Sequence, residues 1–133
     1  IAIGADMNQA IKAISEAEQY NGPSLIIAYA PCISHGIKTG MGTSVKQQKR
    51  AVEAGYWHLY RYNPRLKSEG ENPFQLDSKP PKESYFGYIS SEIRFTQLQN
   101  VYPEQAEELF SASERFAAER YERYKKLAEY DVL

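Results

Sequence analysis

Leu25-Ile26-Ile27-Ala28-Tyr29-Ala30 is an almost unbroken apolar run opened by Ser24 and stopped by Pro31. A strand with one wet face alternates apolar and polar side chains. A run without alternation predicts a strand buried on both faces, as at the centre of a parallel sheet. Pro31 has no backbone N–H to offer a neighbour, so pairing should end there. Upstream, Ile1 to Ala5 reads as the end of another strand, and a chain opening inside a strand has the look of a piece of something longer. Met7, Ile11, Ile14 and Ala17 then recur at helical spacing, with Lys12, Ser15, Glu16 and Gln19 on the opposite face. Asp6 stands at the N-cap with Gln9 three residues on, a capping box, and Asn21-Gly22-Pro23 closes the helix. Strand, helix and buried strand in this order predict a right-handed βαβ unit.

Ser44 and Gln47 form a second candidate capping box, opening a helix to Ala54 with Val45 and Val52 inward and Lys46, Lys49 and Arg50 in water; Gly55 ends it. Trp57 to Tyr62 alternates and predicts a strand nearer a sheet edge, with His58 as a strand side chain that has a local partner. Residues 64–83 are punctuated by Pro64, Gly70, Pro73, Pro80 and Pro81, with Phe74 to Asp77 as a short extended piece. Leu66, Phe74 and Leu76 need anchors, so this is an ordered excursion rather than a linker. Residues 84–133 read as two helices. Ser84 caps the first, with Phe86, Ile89, Ile93 and Thr96 or Gln97 as its stripe. Pro103 opens the second with Glu104, Glu107 and Glu108 at the positive end of its dipole. Ala106, Leu109 or Phe110, Ser113, Ala117, Tyr121, Tyr124 and Ala128 continue its inner face. The expected class is α/β. Residues 1–63 form a fragment of a mostly parallel sheet flanked by the Asp6–Gln19 and Ser44–Ala54 helices, and the C-terminal segment is helical.

Charge narrows the partners. A net charge of −1 gives no reason to expect nucleic acid or an anionic membrane. The cations Arg120, Arg123, Lys125 and Lys126 alternate with Glu119, Glu122 and Glu129, as on an ordinary solvated helix face. No apolar run approaches the roughly 18 residues of a membrane span, and no signal-peptide pattern is present. A single cysteine rules out an internal disulfide framework and fits a reducing, cytoplasmic setting. Eleven tyrosines in a chain of 133 residues imply much half-buried surface, as where a fragment packs on the rest of a larger protein.

The chemistry concentrates at Cys32. In open α/β sheets ligands bind beyond the carboxyl ends of the strands, and Cys32 directly follows the buried run. Gly36, Gly40 and Gly42 make the loop after it conformationally unusual, yet it lacks the G-x-x-x-x-G-K-[ST] pattern of a phosphate-binding loop. His35 invites a Cys–His pair or a zinc site, but zinc needs about four ligands and the chain offers one thiol and two histidines. The residues alone leave Cys32 either as an inert buried thiol or as the functional group of the loop. They equally allow a stand-alone small-molecule-binding module or a structural docking domain.

Four blocks add a resemblance. GADMNQ at Gly4–Gln9, GPSLIIAYAPCISHGI at Gly22–Ile37, GYWHLYRYNPRL at Gly55–Leu66 and NPFQLDSKPP at Asn72–Pro81 closely resemble the C-terminal end of pyruvate:ferredoxin (flavodoxin) oxidoreductases, in order and over essentially the whole chain. The resemblance implies the closing part of their thiamine-diphosphate-binding domain. It also implies a parent enzyme that decarboxylates pyruvate oxidatively with coenzyme A to acetyl-CoA and CO2. Thiamine diphosphate with Mg2+ would do the carbon chemistry, and [4Fe–4S] clusters would carry electrons to ferredoxin or flavodoxin. The other domains of the enzyme, and a second copy in a homodimer, would be the partners. In that family the cysteine matching Cys32 ligates the cluster nearest the thiamine, so Cys32 is the expected metal ligand, and three further thiolates would come from elsewhere. The Gly-Asp-Gly…Asn magnesium-diphosphate motif is missing here, Asp6 fits a helix cap better than a magnesium site, and the chain alone should be inactive.

Overall fold

The computed structural model describes residues 1–130, with backbone alone at His35; residues 131–133, expected to end the last helix, lie outside the described residues. The order is α1 (Met7–Gln19), a 3-10 turn at Ile33–His35, another at Met41–Thr43, α2 (Ser44–Glu53), β1 (Tyr60–Tyr62), a 3-10 segment at Pro64–Glu69, β2 (Phe74–Leu76), α3 (Tyr85–Ile89), α4 (Ile93–Val101) and α5 (Pro103–Glu129). The architecture is mostly helical. Its sheet has two antiparallel strands, with Tyr60 opposite Leu76, Arg61 opposite Gln75 and Tyr62 opposite Phe74.

The expected central parallel strand at Ser24–Ala30 is not formed. The segment is extended but unassigned, and Leu25 and Ile27 are 84% and 55% exposed. A strand exists only through its partners, and the backbone partner here is a single residue. The Ile1 ammonium donates to the Ile27 carbonyl at 2.8 Å, and the Tyr29 N–H donates to the Ile1 carbonyl at 3.0 Å. One residue bonded to both i−1 and i+1 across from it is the parallel pattern. That makes one parallel rung, and no parallel sheet is formed among the described residues. Ile1–Ala5 is correspondingly a turn, closed by the Ala5 and Asp6 N–H groups on the Ala2 carbonyl.

α1 begins as its sequence requires: Asp6 accepts from the Gln9 N–H at 2.9 Å. The return half of the box is absent, because the Asp6 N–H donates to the Ala2 carbonyl and the Gln9 side chain is turned to donate to Asp77. The stripe expected to face a core faces water, with Met7, Ile11 and Ile14 exposed while Gln9 and Ala10 are buried. α2 departs in the same way. Thr43 precedes it without a side-chain cap, Ser44 is already helical, and Val45 is exposed while Gln47 and Ala51 are buried. Gln47 does not close a box, because its Oε1 accepts from Arg50, its amide nitrogen donates to Ser91 and Glu92, and the Ser44 N–H already donates to the Met41 carbonyl. Gly55, at φ +73°, ends α2 as expected, in a region that suits glycine.

The core lies on the other side, where α5 crosses α3, α4 and β2. Tyr85, Tyr88, Ile89, Ala106, Phe110 and Ala117 pack with Ala51 of α2 and with Ala54 just after it. Fully burying a side chain such as Ile89 is worth about 1.5–3 kcal/mol. Pro103 opens α5 with Glu104 in its first turn, and its inner face is Ala106, Phe110, Ala117 and Tyr121; Leu109 is exposed. The single helix expected from Ser84 is two, broken at Ser90–Glu92, which turns Glu92 inward; Phe86 and Ile93 of its expected stripe are exposed. Residues 64–83 carry the 3-10 segment and β2. Phe74 lies 5.2 Å from the Tyr60 ring and 5.7 Å from Tyr124. The Asn72 amide donates to the carbonyls of Leu127, Ala128 and Tyr130, satisfying the acceptors at the end of α5.

Candidate functional site

Cys32 ends the extended segment and opens the 3-10 turn at Ile33–His35, with its side chain exposed. Both flanks of its loop are tied to the α3–α4 junction. On the N-terminal side the Tyr29 hydroxyl shares a hydrogen bond with the Tyr88 hydroxyl at 2.5 Å and donates to Glu92 at 3.3 Å. On the C-terminal side the Ile93 N–H donates to the Gly36 carbonyl at 3.2 Å and the Lys38 N–H to the Ser91 carbonyl at 3.0 Å. Gly36 has φ +64°, and a Cβ there would lie 2.8 Å from Ile93 Cδ1. Any larger residue would be strained at that φ, and the Ile93 side chain would have to turn aside to admit its Cβ.

Glu92 is the hub of this junction. It is 2% exposed, accepts from Tyr88 at 2.8 Å and from Gln47 at 3.3 Å, and pairs with Arg94 Nε at 2.6 Å. Burial pushes the Tyr29 hydroxyl up to about 12, with the Tyr88 bond opposing the shift and the Glu92 charge adding to it. Burial first, then the bonds to Tyr29 and Glu92, drive Tyr88 far above the ordinary phenol range. Both hydroxyls therefore stay protonated through the neutral range.

A cleft of about 500 Å3 is lined by Ser24–Ile27 together with Tyr20, Trp57, Tyr60 and Tyr124 among others. Its Arg61 is committed, bidentate to Asp77 at 2.8 Å and bonded to Glu16 at 2.6 Å. His58, which precedes β1 rather than lying in it, is buried against Tyr121 and Tyr124, and its Nε2 has no partner. Burial, then the Arg120 charge, lower its pKa to about 4, opposed by a hydrogen bond to the Ala117 backbone. No group of three or more His, Cys, Asp or Glu able to hold a metal occurs among the described residues. Asp6 is occupied as the α1 cap. No helix among the described residues is long and apolar enough to cross a membrane.

No family model matches the chain. Curated relatives do. A pyruvate-flavodoxin oxidoreductase of Enterobacter agglomerans is 57% identical over 128 residues, 96% of this chain, and a pyruvate:ferredoxin oxidoreductase of Moorella thermoacetica is 57% identical over 129. This chain is homologous to a segment of pyruvate:ferredoxin/flavodoxin oxidoreductase. The oxidoreductase segment spans 11% of the length of either relative. A mitochondrial pyruvate dehydrogenase [NADP(+)] of Euglena gracilis is 44% identical over 124 residues, 7% of its length.

Within the oxidoreductase segment, sequence reasoning singled out Cys32 and passed over Tyr29 and Glu92. A signal for Glu92 was present: it lies three residues after Ile89 and four after Tyr88, an acid at an inward helical position. Reading Tyr29 as one more apolar residue of a buried run hid its hydroxyl.

Proposed function

We propose that this chain is the closing part of the thiamine-diphosphate-binding domain of a pyruvate:ferredoxin or pyruvate:flavodoxin oxidoreductase, and that Cys32 gives one thiolate to a [4Fe–4S] cluster. The observation that carries the reading is identity of 57% across 96% of the chain, with the PCISHG loop presenting its one cysteine at the surface. The donor set fits one corner of a cubane and no more, since the usual set is four thiolates and the other three must come from the rest of the polypeptide. When bound, the cluster would pass the electrons released from pyruvate toward ferredoxin or flavodoxin. This chain's own part is to hold a thiolate in place: Cys32 is the ligand, and the Gly36 turn keeps the loop close to α4. Pyruvate, coenzyme A, thiamine diphosphate and Mg2+ would bind mainly outside these residues, in a cytoplasmic homodimer, and the chain alone would not turn over.

The exposed Met7, Ile11, Ile14, Leu25 and Ile27 support the same reading, since so much apolar surface calls for cover. In the full-length enzyme, Cys32→Ser should leave packing intact, serine being nearly isosteric, yet remove a ligand. A hydroxyl is far less acidic than a thiol with a pKa of about 8.5 and substitutes poorly for a thiolate. Iron analysis and spectroscopy should show one fewer [4Fe–4S] cluster and slow pyruvate-dependent reduction of the acceptor. Full iron content with full electron transfer would refute the assignment.

A further inference from the structure

We infer that the α3–α4 junction is a clamp that fixes where Cys32 sits, with Tyr29 and Glu92 as its positioning residues; the inference rests on Cys32 being a cluster ligand. The clamp grips both sides of the loop at once. Three residues before Cys32, the Tyr29 hydroxyl is bound to Tyr88 and Glu92. Four to six residues after it, Gly36 and Lys38 are bonded to the backbone of Ile93 and Ser91, and Ile37 bridges Glu92 as an isolated antiparallel pair. All these grips converge on residues 88–93, so the two ends of the loop cannot drift independently.

The Tyr29 ring is also fixed, stacked on Trp57 at 5.5 Å and edge-on to Tyr56 at 5.9 Å. Glu92 is held in turn by Arg94 and by Gln47 of α2. Neither Tyr29 nor Glu92 need touch the cluster. They act through the loop, which is what ordering of ligands by surrounding hydrogen bonds achieves in metal sites generally.

The test uses the full-length holoenzyme with Tyr29→Phe, which keeps the stacked ring and deletes only the hydroxyl. Tyr85→Phe is the control, since it deletes the hydroxyl of a buried tyrosine that is bonded to Ser113 rather than to the loop. Tyr29→Phe should load its clusters but release iron from one of them to a chelator about tenfold faster, the factor expected from losing a hydrogen bond that involves a charged acceptor. The paramagnetic resonance of that one cluster should shift, while Tyr85→Phe leaves both the release rate and the resonance at wild-type values. Wild-type release and resonance in Tyr29→Phe, with Cys32→Ser losing a cluster, would overturn the clamp and leave the ligand assignment standing. Equal acceleration in both phenylalanine variants would also overturn it, since general loosening would then explain the effect. Full iron in Cys32→Ser would remove the ligand assignment and the clamp's purpose together.

Discussion

Glu92→Ala is expected to remove about 3–5 kcal/mol of stability, the cost typical of breaking a buried ion pair from one side. The carboxylate is 2% exposed and satisfies Tyr88, Tyr29, Gln47 and Arg94 together. Alanine leaves the Arg94 charge and three polar groups facing a void, so the penalty comes from orphaned partners more than from a lost attraction. Against a typical total of about 5–15 kcal/mol, that is a large fraction. Glu92→Gln keeps the shape and an acceptor oxygen and should lose less than half as much. Urea unfolding followed by Trp57 fluorescence measures both. An alanine variant within about 0.5 kcal/mol of wild type, the range of ordinary surface changes, would show that the network does not hold the fold.

Acid is expected to weaken the fold through His58 before carboxylates dominate. Its pKa is lowered from 6.5 to about 4 by burial and by the Arg120 charge, so the folded state holds the ring neutral where the unfolded chain would protonate it. The contribution is therefore complete above about 6.5 and is lost as pH falls toward about 4. A shift of this size corresponds to a loss on the order of 3 kcal/mol across that window. The surroundings offer no relief, since Tyr121 and Tyr124 pack on the ring and Nε2 lacks an acceptor for the new proton. His58→Leu should flatten the stability profile between pH 6.5 and pH 4 in unfolding titrations. An unchanged slope in the variant would assign the acid sensitivity elsewhere.

What could be read from the residues was local. Asp6 as a cap, Gly55 as a stop, Pro103 with Glu104 as a start, and Phe74 as an anchor are matters of a few neighbouring side chains, and each holds. The inner face of α5 was legible too, because a long helix declares its stripe over several turns. The faces of α1 and α2 were misread for one reason. Met7, Ile11, Ile14 and Val45 are apolar yet exposed, and hydrophobic periodicity does not say whether a stripe is covered by the same stretch of chain. Ser24–Ala30 carries the pattern of a central strand while making one parallel rung with Ile1. The inward position of Glu92 was legible from its spacing to Tyr88 and Ile89, but the break at Ser90–Glu92 was not, because the four partners that hold the carboxylate come from distant parts of the chain and from its own turn.

Those three exposed features, the α1 stripe, Val45 and the unpaired edge of Ser24–Ala30, are on this account the seams along which the segment meets the rest of the oxidoreductase. Amide hydrogen exchange over Leu25 to Ala28 tests that most directly, compared between this chain and the full-length enzyme. The account predicts rapid exchange in the chain alone and protection greater by at least about 100-fold in the enzyme, where neighbouring strands would occupy these amides. Equally rapid exchange in both would contradict it, since Leu25 to Ala28 would then be a surface loop in the whole protein as well.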